Sequence, residues 1–340
     1  MRPQLVLAMS LLSVAFVGCG PASTDRAENL AATVGTQSAQ SAGYQPVEVP
    51  AFEYAESLNL HTTRQLSIFD NLGRAERFHE DMHSDGAGQV ALGVLDYASF
   101  GVSTWSTPTS QLESSYFNRQ AYLLKYRDLH LGSEFSLHRN FRWTEAPGVV
   151  QMAGEDCKVY HARSVHGLGD FDLVVTVATN LLLGWTSLDA LGQPVMQLET
   201  LTMDESPTHN GVAWASAAVP EQPYTDVVDE PLLGFTPVDA QYLPPGFYLV
   251  EKRLLLANGL TSGFGNIHAA VYTDGIHLLL VAQQKYTNSP AMTILSGPSL
   301  VKHADVGGIR VAEGDIPGKR LYVVSQLPTE ELQTIFGSMY

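Results

Sequence analysis

Residues 170–204 read DFDLVVTVATNLLLGWTSLDALGQPVMQLETLTMD. Phe171, Leu173, Val175 and Val177 alternate with other residues, so an extended chain puts all four on one face. Asp189-Ala190-Leu191-Gly192-Gln193 then breaks the apolar runs. Its Asp and Gly supply turn chemistry, which predicts a hairpin between neighbouring strands. The stretch predicts strands over 170–178, 182–189 and 194–204, paired antiparallel.

The same pattern extends outward. Strands are predicted near 64–70, 74–84, 88–97, 137–144, 147–153 and 156–163, with turn residues at intervals of roughly ten. Ser114 to Leu131 departs from it: Tyr116, Ala121, Leu123, Leu124 and Leu129 recur with helical spacing and no Gly or Pro intervenes. That predicts a helix laid on the sheet. A Pro-rich, acidic stretch from Pro220 to Pro231 marks a boundary. Further strands are expected near 246–257, 266–274, 275–284, 291–296, 308–313 and 319–325, with Thr273-Asp274-Gly275 as a tight hairpin. A last helix after Pro328-Thr329 buries Leu332, Ile335 and Phe336. The fold class is α+β, a long antiparallel sheet with a covering helix and then a smaller unit.

The N-terminus reads as export machinery. Residues 1–18 hold Arg2, an apolar run from Leu5 to Val17, and Gly18 before Cys19. The run is shorter than the roughly 20 residues that span a bilayer, and small residues close it, as in a cleaved signal peptide. Ala15-Phe16-Val17-Gly18-Cys19 resembles the lipobox of bacterial lipoproteins, which implies lipidation of Cys19 and a lipid anchor in the membrane. Gly20 carries no retention signal for the inner membrane, so an outer-membrane anchor facing the periplasm is favoured. Residues 19–45 are rich in Ala, Ser, Thr, Gln and Gly without apolar period, and read as a flexible tether. The expected organisation continues as a large domain over 46–218, a linker over 219–235 and a small domain over 236–340.

The formal net charge is −16, one unit more negative once Arg2 leaves. Nucleic acid is excluded as a partner, because phosphate binding relies on clustered Lys and Arg. With Cys19 lipidated only Cys157 remains, so no intramolecular disulfide forms, and Cys157 reads as a small buried hydrophobe. The core holds itself together with 45% hydrophobic residues.

His79-Glu80-Asp81-Met82-His83 spells the H-E-x-x-H motif of zinc proteases, which grips one metal only on a helix. Turn residues Asn71-Leu72-Gly73 and Ser84-Asp85-Gly86 bracket a strand instead. On a strand His79 and His83 share a face but stand about 13 Å apart, at roughly 3.3 Å per residue. No metal is therefore assigned to His79, Glu80 and His83, nor to His161 with His166 or His268 with His277. No nucleophile elbow, phosphate loop or dinucleotide fingerprint is present, and no cofactor or catalytic residue is assigned. Phe141, Trp143, Val175, Val177, Trp185, Val195 and Leu201 are expected to line the concave side of the sheet. A curved sheet left partly unfilled there would accept an acyl chain.

Tyr242-Leu243-Pro244-Pro245-Gly246-Phe247, and Val271-Tyr272-Thr273-Asp274-Gly275 with the apolar run Ile276 to Val281, resemble the C-terminal domain of the RseB/MucB family of periplasmic sigma-E regulatory proteins. Val150 to Cys157, the strand Asp170 to Val177 and the Asp189/Gly192 hairpin are similar to the family's larger N-terminal domain. The resemblance spans about 46–340. It implies a LolA/LolB-like half-barrel wrapping helices, followed by a small α+β domain. It also implies a non-enzymatic protein that binds a lipid-like ligand, the periplasmic domain of an anti-sigma factor, or both, in envelope-stress signalling; the lipobox at Cys19 is a departure, since the best-known members of the family are soluble in the periplasm. A lipid or lipoprotein carrier of LolA/LolB type is the second reading, and a zinc hydrolase the third.

Overall fold

The structure, a computed structural model, describes residues 45–70, 72–214, 221–256, 265–285, 302–306, 309–316 and 318–339. The leader, Cys19, the tether to residue 44 and the expected strand 291–296 lie outside the described residues.

The first sheet contains β1 (Gln45–Pro46), β2 (Asn59–Phe69), β3 (Ala75–Asp85), β4 (Val90–Ala98), β5 (Phe141–Glu145), β6 (Val150–Met152), β7 (Glu155–Ser164), β8 (Asp170–Thr176), β9 (Leu182–Leu188) and β10 (Pro194–Asp204). The strands pair antiparallel in the order β1-β5-β7-β8-β9-β10-β2-β3-β4, with β6 on β7, and the sheet stays open. Along β2 and β3 buried residues alternate with partly exposed ones, as a sheet with one covered face requires. Helix α1 (Ser110–Tyr122) runs into a single π turn, Leu123–Arg127, and packs Leu112, Tyr116, Leu123 and Leu124 into the sheet's core. The expected strand over 137–144 begins as a helix, α2 (Glu134–Asn140), because the Ser133 hydroxyl accepts from the Ser136 N–H and caps its first turn.

The segment expected as linker contains β11 (Glu221–Pro223) and helix α3 (Asp226–Leu233). Asp229 organises it: its carboxylate accepts from the Thr225 N–H at 2.7 Å and from Gln222 Nε2 at 2.7 Å.

The second sheet adds β12 (Tyr248–Leu255), β13 (Ile267–Thr273), β14 (Leu278–Lys285), β15 (Lys302–Val306), β16 (Ile309–Ile316) and β17 (Lys319–Ser325). Its order is β11-β12-β13-β14-β17-β16-β15, antiparallel throughout. Every residue of β13 and β17 is buried, which a sheet achieves only when both faces are covered. Helix α4 (Thr329–Gly337) covers one face, inserting Leu332, Ile335 and Phe336 against Leu321 and Val323. The opposite face, with Ile267, Ala269, Val271, Leu280 and Val324, joins one apolar cluster with Phe171, Trp185 and Met196 of the first sheet. The two sheets thus share a core. The fold is α+β, built of two open antiparallel sheets.

Candidate functional site

The residues expected on the concave side divide by local geometry. Phe141, Trp143, Val175 and Trp185 are buried in the shared core. Val177 and Leu201 are not there: they are 47% and 43% exposed. Val177 lies one residue past β8, and Leu201 is the extra residue where the pairing of β10 with β2 shifts between Thr200 and Thr202. Val195, though buried, falls in the β10–β9 irregularity between Pro194 and Met196. A bulge interrupts the two-residue alternation on which the sequence expectation rests.

Between the sheets a cavity of about 40 Å³ remains, bordered by Arg127, Phe171, Trp185, Met196 and His277. Ligand sites for drug-sized molecules begin near 300 Å³, so this space suits water and not an acyl chain. Around it Phe171, Trp185 and Met196 of the first sheet share one packed cluster with Ile276 and Ile309 of the second unit.

Beside the cavity lies a buried charge network. Glu80 accepts from Arg127 Nη1 at 2.6 Å, Arg127 Nη2 at 3.0 Å, Arg64 Nε at 2.9 Å and the Tyr116 hydroxyl at 2.9 Å. Asp128 completes it, 2.8 Å from Arg127 and 2.7 Å from Arg64. Burial raises the cost of the Asp128 charge, but Arg127 and then Arg64 hold its carboxyl below the usual range. Two cations face two anions, which is how charges are kept out of water. With both oxygens committed, Glu80 has no role as a general base for a zinc-bound water. His79 is occupied elsewhere, 2.7 Å from Asp96 and stacked on Trp105. His83 instead stacks on His61 of the adjacent strand, with ring centroids 4.1 Å apart. Burial, followed by the charge of His61, lowers the His83 pKa.

At the seam of the two sheets the turn residues of the second unit meet helix α2. Asn140 Nδ2 donates to Asp274 O at 2.6 Å and Gly246 O at 3.2 Å, and the Gly132 N–H donates to Gly275 O at 2.6 Å. Gly246, at φ 89°, leaves no room for a Cβ, which would stand 2.6 Å from Asn140 Oδ1. Gly275, at φ 118°, packs on Ser136 and Leu137 in a conformation that favours glycine. Asp274 holds its own turn, accepting from the N–H groups of Ile276 and His277 and from His277 Nδ1 at 2.8 Å.

That seam opens outward as a groove of about 360 Å³ lined by Phe135, Arg139, Asn140, Phe247 and Tyr248. Phe135 is 74% exposed, and Tyr248, Leu249 and Val250 are exposed in succession along β12. Among the described residues, β11 pairs only with Arg253 to Leu255, so the outer edge of β12 from Tyr248 to Glu251 has no strand beside it. Tyr248 to Val250 thus form an exposed apolar strip on that edge.

No family model matches the chain, and no curated protein matches it. Solved structures do. A crystal structure of MucB is 16% identical, with 84% of this chain and 93% of that chain covered and a TM-score of 0.46. The crystal structure of MucB in complex with MucA(peri) is 14% identical, with 81% and 91% covered and a TM-score of 0.44. The complex of Pseudomonas aeruginosa MucA/MucB is 15% identical, with 83% and 93% covered and a TM-score of 0.41. Over most of its length the chain is similar to structures of MucB, of the RseB/MucB family.

Proposed function

We propose that the protein is a non-enzymatic envelope lipoprotein, anchored through Cys19 and facing the periplasm, that regulates envelope-stress signalling by holding the periplasmic segment of a membrane-bound anti-sigma factor. One observation carries the reading: the two turn motifs that resemble the family, around Gly246 and Gly275, both pack on helix α2, and the Gly246 turn lines a groove beside the exposed Phe135 and Tyr248. An extended peptide would add along Tyr248 to Glu251 by main-chain hydrogen bonds, with apolar side chains set against Phe135 and Leu249.

A lipid-like ligand fits this scheme as an effector. The present cavity is too small for an acyl chain, so lipid would enter only if the second sheet moved off the first, which couples lipid binding to the geometry of the groove. A carrier of LolA/LolB type needs that volume open as its resting state, and the shared core disfavours it.

The test is binding of the full chain to the periplasmic domain of an anti-sigma factor from the same genome, compared with a Leu249→Asp variant. Leu249 is exposed, so its replacement leaves the melting temperature within about 2 °C, while binding weakens at least tenfold because a buried unpaired charge is costly. A variant that binds like the parent protein, or a parent protein that binds no such domain, contradicts the proposal.

A further inference from the structure

On the outer face of the first sheet, away from the seam, β2 and β3 bring His61 directly opposite His83. Their rings lie parallel within 2°. Both Nε2 atoms point at one carboxylate: His61 Nε2 is 2.7 Å from Asp81 Oδ1 and His83 Nε2 is 3.4 Å from Asp81 Oδ2. One donor atom from each of the three residues falls within a sphere of contacts no wider than 4.8 Å. Zinc bonds of 2.0–2.2 Å in a tetrahedral site place neighbouring ligand atoms about 3.4 Å apart. The cluster already has that scale.

One set of neutral tautomers satisfies the hydrogen bonds around it and turns a lone pair of His83 toward Asp81. His209, from the chain after β10, sets Nε2 2.8 Å from Asn59 Oδ1, an atom that only accepts, so Nε2 carries the proton and Nδ1 is bare. His83 Nδ1 lies 3.2 Å from that bare nitrogen and therefore carries its own proton. The remaining nitrogen, His83 Nε2, is then a free lone pair facing a carboxylate oxygen. In that tautomer two acceptors face each other, a contact that a proton or a divalent cation between them satisfies. An imidazole oriented through its far N–H is also how metal-ligating histidines are held.

We propose that His61 Nε2, His83 Nε2 and the Asp81 carboxylate bind a divalent first-row transition-metal ion, zinc foremost, with His209 and Asn59 as the outer support that orients His83. Two imidazoles and a carboxylate suit zinc, copper or nickel and not calcium or magnesium. Water completes the coordination on the solvent side, since the side chains of His61 and Asp81 are 33% and 31% exposed. The ion joins β2 to β3, and His209 ties the segment after β10 to the site through His83. His79 and Glu80 take no part.

Zinc chloride titrated into the metal-stripped full chain tests this by calorimetry, with the visible spectrum of the cobalt-loaded protein as a second readout. One equivalent binds, and cobalt gives the intense bands of a tetrahedral site. His83→Ala and Asp81→Asn each weaken zinc at least tenfold, His209→Ala weakens it about 10–100-fold as loss of an outer partner does, and His79→Ala leaves it unchanged. Circular dichroism of each variant separates lost ligation from lost fold, and Asp81→Asn, which keeps the side-chain shape, serves if His83→Ala fails to fold. Absence of stoichiometric zinc in the parent protein, or equal affinity in His79→Ala, His83→Ala and Asp81→Asn, overturns the proposal.

Discussion

At the scale of single residues, the molecule spends its most expensive groups on structure. Arg127 and Glu80 are both fully buried and each makes several charged contacts, so removing one leaves the other charged without compensation. Arg127→Ala is expected to destabilise the fold by about 3–5 kcal/mol in urea denaturation. A loss under about 1 kcal/mol would show that the network is hydrated or replaceable. His268 is the opposite case, a buried imidazole whose ring nitrogens have no hydrogen-bond partner among the described residues. Burial, and then the charge of Lys252, pushes its pKa down to about 4. The unfolded chain binds this proton with an ordinary pKa near 6.5, so between the two values it holds more proton than the folded state. Stability is therefore full above about pH 6.5 and falls as the pH drops toward 4, by as much as ~3 kcal/mol. His268→Leu should flatten the melting temperature over that window. If parent and variant lose stability in parallel from pH 6.5 to 4, His268 is not the group responsible.

At the scale of elements, period-two alternation made most strands legible. The runs over 170–178, 182–189 and 194–204 occur as Asp170–Thr176, Leu182–Leu188 and Pro194–Asp204. Local hydrogen bonding defeated that reading at identifiable places. Ser133 caps a helix where apolar Phe135 and Leu137 suggested a strand, and Asp274 delays the start of β14 to Leu278 by holding two backbone N–H groups. Bulges at Val195 and Leu201 broke the facing pattern of β10. The histidine cluster was hidden because it depends on register. His61 and His83 lie equally far from Leu72, inside the turn Asn71-Leu72-Gly73, so a hairpin centred there pairs them. That signal was present in the sequence, whereas the approach of His209 from the chain after β10 had none. The partners of Glu80 are likewise remote in sequence, which made the H-E-x-x-H spelling look more chemical than it is.

At the scale of the whole molecule, one fact governs the rest: the two sheets bury a common core instead of standing apart. The two patterned units were legible in the sequence, but not that the second packs on the apolar side of the first, since each strand's periodicity states only that a face is covered and not by what. That packing leaves a cavity of about 40 Å³ inside and moves the open apolar surface to the seam, where Phe135, Tyr248, Leu249 and Val250 remain exposed. A partner is thus expected on the rim and not within the sheet. Hydrogen exchange of the full chain, with and without the periplasmic domain of an anti-sigma factor, tests this most directly. Slowed exchange confined to Tyr248–Glu251 and to helix α2 is the predicted result; protection that leaves both segments untouched and appears elsewhere on the molecule would contradict it.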